Sequence, residues 1–185
     1  MAVQITAEVN QRSLELVRTR LKGLTSAKTR SQIASAVNKI ARSFRKQERA
    51  DVKERFAYKG AVPQATLRRA SPADPTATLF FSGEEKLTGH FKLKKNGKRT
   101  AAAVEVLRGN KRPVSIFGNK GFIPRSGIAA GTIFARSGSS RYPIDLTYGP
   151  SFSGMAHSPA YFDRNAEQAQ EDLGVELRKM IDKYL

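Results

Sequence analysis

Hydrophobic positions recur with two periods along this chain and divide it into a helical beginning, an extended middle and a helical end. Val3, Ile5 and Ala7 alternate with Gln4, Thr6 and Glu8, which predicts a short first strand. Leu14, Val17, Leu21 and Leu24 then recur at helical spacing, with Asn10 or Ser13 as caps. Ile33, Val37, Ile40, Phe44, Val52 and Phe56 continue that period through a stretch without glycine or proline before Gly60. Thr29 and Gln32 have the spacing of a capping box, and Gly60 stands where a left-handed C-terminal cap would. The predicted helix, 29–59, is about 30 residues and roughly 45 Å long. A domain of this size does not cover such a length, so one end is expected to reach towards a neighbour.

The middle of the chain changes period. Residues 64–69 read as a short helical turn, and Ser71 to Pro75 as a loop with two prolines. Residues 76–82 form a strand with Ala77, Leu79 and Phe81 on one face, followed by a flexible loop at 83–89. Asn96-Gly97 signals a hairpin, because both turn positions tolerate positive φ. Strands at 101–107 and 114–117 surround a turn at Gly109, and Phe122 and Ile123 begin another. Residues 132–136 alternate apolar and polar, Ser137 to Ser140 supplies a turn, and 141–146 returns. Pro143 cannot donate to a ladder and belongs at an edge or bulge. Gly149-Pro150-Ser151 is expected to stop the strand, and 151–157 to act as a linker.

In the last segment Ser158 caps, Pro159 suits the first helical position, and Asp163 complements the helix dipole. Phe162, Ala166, Ala169, Leu173, Leu177, Met180 and Tyr184 make an apolar stripe. These elements predict an α+β fold. An antiparallel sheet of about four to six strands packs with a long helix in the N-terminal half and a C-terminal amphipathic helix. A chain of 185 residues is expected to form one domain over 1–185, with a helical part at about 9–60, a sheet at about 76–148 and a closing helix at about 159–184.

Charge sharpens the picture. Lys and Arg number 33 against 16 Asp and Glu, a net +17. Residues 1–60 and 61–150 are both strongly basic, whereas 151–185 carries four basic and six acidic groups. A body so positive calls for polyanionic or acidic surroundings. Arg42, Arg45, Arg49 and Lys53 recur at helical spacing as a basic stripe that Glu48, Asp51 and Glu54 only partly offset. A second cluster, Lys94, Lys95, Lys98 and Arg99, crowds the Asn96-Gly97 hairpin tip. Each group reads either as a solvated face or as a contact for an anion or acidic partner.

Chemistry-bearing patterns are sparse. There is no cysteine for disulfides or thiolate metal sites. The N-terminus has neither the basic start nor the apolar run of a signal peptide, and no window is apolar enough to span a membrane. His90 and His157 lack a spaced acidic partner, and the adjacent carboxylates Glu84 and Glu85 diverge. Gly118 to Gly121 lacks the lysine and hydroxyl residue of a phosphate loop. Catalysis, a cofactor and a metal are therefore not expected. Without a stacking strand, zinc knuckle or groove-reading helix pair, nucleic-acid contact would be confined to phosphates and blind to base sequence.

One stretch carries more specific wording. Arg136, Gly138, Arg141, Pro143 and Ile144, followed by Gly149, Pro150 and Ser151, form a basic, proline-bearing hairpin without a catalytic side chain at its tip. Upstream lie Gly121-Phe122-Ile123, and Val104 to Gly109 followed by Lys111-Arg112. In these residues the chain resembles the prophage minor tail protein Z (tail-completion) family of long-tailed phages, specifically over 104–151 and in helix placement over most of its length. The resemblance implies a virion protein of the tail or neck, folded in the host cytoplasm. Several copies would form a homo-oligomeric ring of sixfold or twelvefold symmetry near the head-proximal end of the tail. That ring would join the tail tube or terminator to the head connector, with lumenal DNA as a further candidate partner through its phosphates. On this reading Arg136, Arg141, Pro143, Ile144, Gly149, Pro150 and Ser151 form an assembly hairpin. Two other readings remain open, a sequence-independent basic DNA-binding protein and a minor tail protein located elsewhere in the tail.

Overall fold

The computed structural model describes residues 3–7, 26–95, 101–116, 118–124 and 131–182. The helix expected around Leu14 to Leu24 and the Asn96-Gly97 tip lie outside these residues. The class is α+β, and the strands are divided among small antiparallel ladders of two or three strands. The chain folds as two compact units, each assembled from separate stretches.

Unit one comprises 1–49, 64–82 and 156–185. Its sheet has the order β1 (Val3–Ala7), β3 (Ala77–Phe81), β2 (Thr66–Arg68), so the most apolar strand is central. Ala77, Leu79 and Phe81 are all buried, as their alternation predicts. Helix α1 spans Ser26–Arg55, and helix α3 spans Phe162–Asp182. Ile33, Ala34 and Val37 of α1 meet Leu177 of α3, together with Ala70 and Ala77, in one hydrophobic cluster. Further along α1, Glu48 bonds Asn165 at the start of α3, so the two helices pack antiparallel. Phe44 and Phe162 meet edge to face at 6.0 Å.

Two local expectations are corrected in this unit. Residues 64–69 contain strand β2, not a helical turn, because the chain is captured on both sides. Thr66 to Arg68 pairs with β3, and Asn38 both donates to the Ala70 carbonyl and accepts from its amide at 2.9 Å. Thr29 is not a cap. The helix begins upstream at Ser26, leaving the buried Thr29 hydroxyl inside it with no hydrogen-bond partner among the described residues.

Unit two comprises 50–63 and 83–155, and receives the end of α1. β5 (Lys92–Lys94), β6 (Ala103–Glu105) and β7 (Lys111–Pro113) form a three-stranded ladder. β8 (Ser115–Ile116) pairs with β9 (Asn119–Lys120), β10 (Phe134–Arg136) with β11 (Ile144–Leu146), and β12 (Tyr148–Ser151) with β4 (Glu85–Leu87). Val52, Phe91, Ile133, Ala135, Phe152 and Met155 are among its most deeply buried apolar side chains.

Helix α1 stops before Gly60, contrary to the expected cap. Its Lys53 carbonyl, whose intrahelical donor Ala57 bonds Val106 instead, accepts from Nε and Nη2 of Arg108 at 3.1 and 3.0 Å. The chain beyond Arg55 then runs extended between the diverging ends of β5 and β6. Ala57 donates to Val106 on one side, and Lys59 donates to His90 on the other. Gly60, with φ of 86°, turns the loop that follows.

The supposed flexible loop at 83–89 contains β4 and leads into a 3-10 turn, Thr88–His90. The expected linker at 151–157 contains the boundary between the two units, after Met155, and it is helical rather than open: helix α2 spans Phe152–Ala156, whose Phe152, Met155 and Ala156 are buried. Gly149-Pro150-Ser151 belongs to β12 rather than ending a strand. Pro150 sits at the register shift of the β12–β4 ladder, where its missing N–H removes no paired bond.

Candidate assembly face

The β10–β11 hairpin forms where alternation predicts it, with Arg136 opposite Ile144 and Phe134 opposite Leu146. Its turn is held from below by Asn119, whose Nδ2 donates to the carbonyls of Arg136 (3.0 Å) and Gly138 (3.1 Å). The Ser137 hydroxyl donates to Asp145 across the hairpin neck. Pro143 lies just before the ladder, joined to Tyr142 by a cis peptide bond, and its carbonyl accepts from Ser137.

The base of the hairpin is fixed by a buried polar network. The Thr147 hydroxyl donates to the Ile133 carbonyl at 2.7 Å. A hydroxyl has one proton, so the 2.9 Å contact between the two threonine hydroxyls must be donated by Thr88. The Thr88 oxygen in turn accepts from the Ile133 amide at 3.1 Å. Three segments distant in sequence are thereby locked together, and each buried hydroxyl is satisfied. Gly149 follows directly, and a Cβ there would approach the Phe91 ring to 2.5 Å. Ser151 caps α2 by accepting from the Gly154 amide at 3.1 Å.

Above this base, large apolar side chains are exposed among the charged ones Arg136, Arg141 and Asp145. Tyr142 is 66% exposed, Leu146 38% and Tyr148 54%, three large apolar side chains within seven residues. Ile144, between them, is half-buried and shares its ladder face with Leu146, Phe134 and Arg136. Arg141 lies over the Tyr142 ring at 5.9 Å. Thr147, between β11 and β12, is the one buried residue of 141–148, and it is polar.

Of the sequence-derived hairpin residues, Arg136, Arg141 and Pro143 are exposed, whereas Gly149, Pro150 and Ser151 have scaffold roles within unit two. Tyr142, Leu146 and Tyr148 were not singled out by sequence. Alternation shows that residues share a face, but not which face the core takes. Among the basic positions, Arg42 is exposed and Arg45 and Arg49 are half-buried in unit one. Lys53, Lys94 and Lys95 are exposed in unit two, and Lys98 and Arg99 fall outside the described residues. Glu48 and Asp51, expected to offset the stripe from solvent, are buried.

The histidines occupy aromatic stacks, His90 on Tyr58 at 5.8 Å and His157 on Phe162 at 4.4 Å. Among the described residues no group of His, Asp and Glu gathers as metal ligands would, and no helix is long and apolar enough to cross a membrane. Comparison with family models, curated proteins and solved structures finds no match to this chain.

Proposed function

We propose that this protein is a structural virion component of the tail-completion or neck class, several copies of which form a ring at the head-proximal end of a phage tail and join it to the head connector. The observation that carries this reading is the exposure of three large apolar side chains, Tyr142, Leu146 and Tyr148, within seven residues, beside a base tied together by Thr88, Ile133 and Thr147. Large apolar side chains grouped at a surface favour burial against another protein. These three residues lie inside the stretch that carries the family resemblance. Heterologous contacts of this kind close into rings when the rotation between copies permits. A minor tail protein placed elsewhere in the tail would use the same face and differ only in location.

Paired substitutions test the reading. Tyr142→Ser with Tyr148→Ser, and separately Arg141→Glu, should leave folding stability within about 0.5 kcal/mol, because these side chains are exposed. Each should abolish ring formation in light scattering and block joining of heads to tails in an assembly assay. Loss of stability in step with assembly would make them fold residues, and unimpaired assembly by both variants would end the proposal.

A further inference from the structure

A cleft of about 510 Å³ in unit two is lined by Lys59, Lys92, Leu93, Lys94, Glu105 and Lys111. Its volume falls in the range of ligand sites, which run from about 300 to 1,000 Å³, yet its lining is charged where such sites are mostly apolar. The sheet register builds it. Lys92, Glu105 and Lys111 stand abreast on β5, β6 and β7 and therefore share one face. Strands are about 4.8 Å apart, which puts the two lysines of that row roughly 10 Å apart at the backbone. Lys94 follows Lys92 on the same face about 7 Å along the strand. Lys59 enters from the segment inserted beside β5, its Nζ 3.4 Å from the Gly89 carbonyl.

The one carboxylate in the lining among the described residues is already engaged. Glu105 is buried, its Oε1 accepts the Gly109 amide at 2.9 Å, and its Oε2 lies 3.9 Å from Lys111 Nζ. Four ammonium groups thus face one carboxylate, inside a unit that carries 16 Lys and Arg against six Asp and Glu.

The geometry points to a binding site for the sugar–phosphate backbone of a nucleic acid. Lysine is a flexible point charge, and lysines about 7 to 10 Å apart at the backbone can each meet a different phosphate of a polyanionic chain. Among the described residues no aromatic side chain lines the cleft to stack a base, so contact is independent of sequence. The cleft has this preference in a virion component and in a free protein alike.

Lysine acetylation followed by mass spectrometry tests the site on the full chain, with a short mixed-sequence DNA duplex or a polyglutamate peptide of equal charge as protectant. DNA should protect Lys59, Lys92, Lys94 and Lys111 together and ahead of Lys46, Lys120 and Lys179. In DNA titrations, the variant Lys59→Ala/Lys92→Ala/Lys111→Ala should reduce the slope of log affinity against log salt by about 2 to 3, at 0.9 per phosphate contact. The control variant Arg69→Ala/Lys120→Ala/Arg178→Ala, of exposed cations outside the cleft and the basic stripe, should change it by less than about one. Equal effects of the two variants, or uniform lysine protection, would overturn the site. Stronger protection by polyglutamate than by DNA would assign the cleft to an acidic protein instead.

Discussion

Asn165 Nδ2 donates to Glu48 Oε1 at 2.9 Å across 117 residues of sequence, with both side chains buried in unit one. A carboxylate inside a protein needs such donors, because burial removes the water that would solvate it. Asn165→Ala should destabilise unit one by about 1–3 kcal/mol, the usual result of removing a donor from a buried polar group. Urea unfolding followed by circular dichroism measures this, and an unmoved midpoint would show the bond to be dispensable.

Gly149 is required by the Phe91 ring. Gly149→Ala places a Cβ 2.5 Å from Phe91 Cε2, and that ring is fully buried and cannot swing into solvent. Overpacking of this kind costs about 1–3 kcal/mol. Gly138→Ala, where a Cβ meets nothing within 4 Å, is the matched control and should lie within about 0.5 kcal/mol of the parent. Equal melting temperatures for the two variants would refute the close approach.

Leu177 and Val175 lie two residues apart on α3 and face opposite environments, one 4% exposed in the helix–sheet cluster and the other 47% exposed. Leu177→Ala should lower stability by about 2–5 kcal/mol through lost burial and the cavity left behind. Val175→Ala should move it by no more than about 0.5 kcal/mol. Calorimetry on the pair decides whether α3 is docked through this stripe.

Glu176 responds to pH through its neighbours. The hydrogen bond from Lys39, 2.8 Å away, holds its carboxyl below the ordinary glutamate value, with the nearby charges of Lys39 and Lys179 acting in the same direction. Lowering the folded-state pKa means that the stabilisation is present above the unfolded pKa and fades as pH falls through the folded one. In Lys39→Ala the Glu176 carboxyl should titrate at higher pH, as read by carbon NMR. An unchanged titration would remove Lys39 as the cause.

Local signals made several elements legible. The long stretch free of glycine and proline marks α1, the alternation of Ala77, Leu79 and Phe81 marks β3, and residues 132–146 mark the β10–β11 hairpin. Each depends on the period of a single element, and a period is written in adjacent residues. The same reasoning failed at 64–69, at Gly60 and at Gly149-Pro150-Ser151. There a partner distant in sequence decided the outcome: Asn38 and β3 for β2, Arg108 and β6 for the end of α1, β4 and Phe91 for β12.

The candidate sites divide in the same way. Sequence alone determined that the chain is strongly basic and that Arg136 and Arg141 flank a short turn. Tertiary structure decided that Thr147 turns inward while Tyr142, Leu146 and Tyr148 turn out, and that Lys59, Lys92 and Lys111 share one cleft. Charge and periodicity are properties of a segment. Exposure and convergence depend on which segments pack together, and in this chain those partners are separated by tens of residues, where hydrogen-bond satisfaction and core packing choose the pairing.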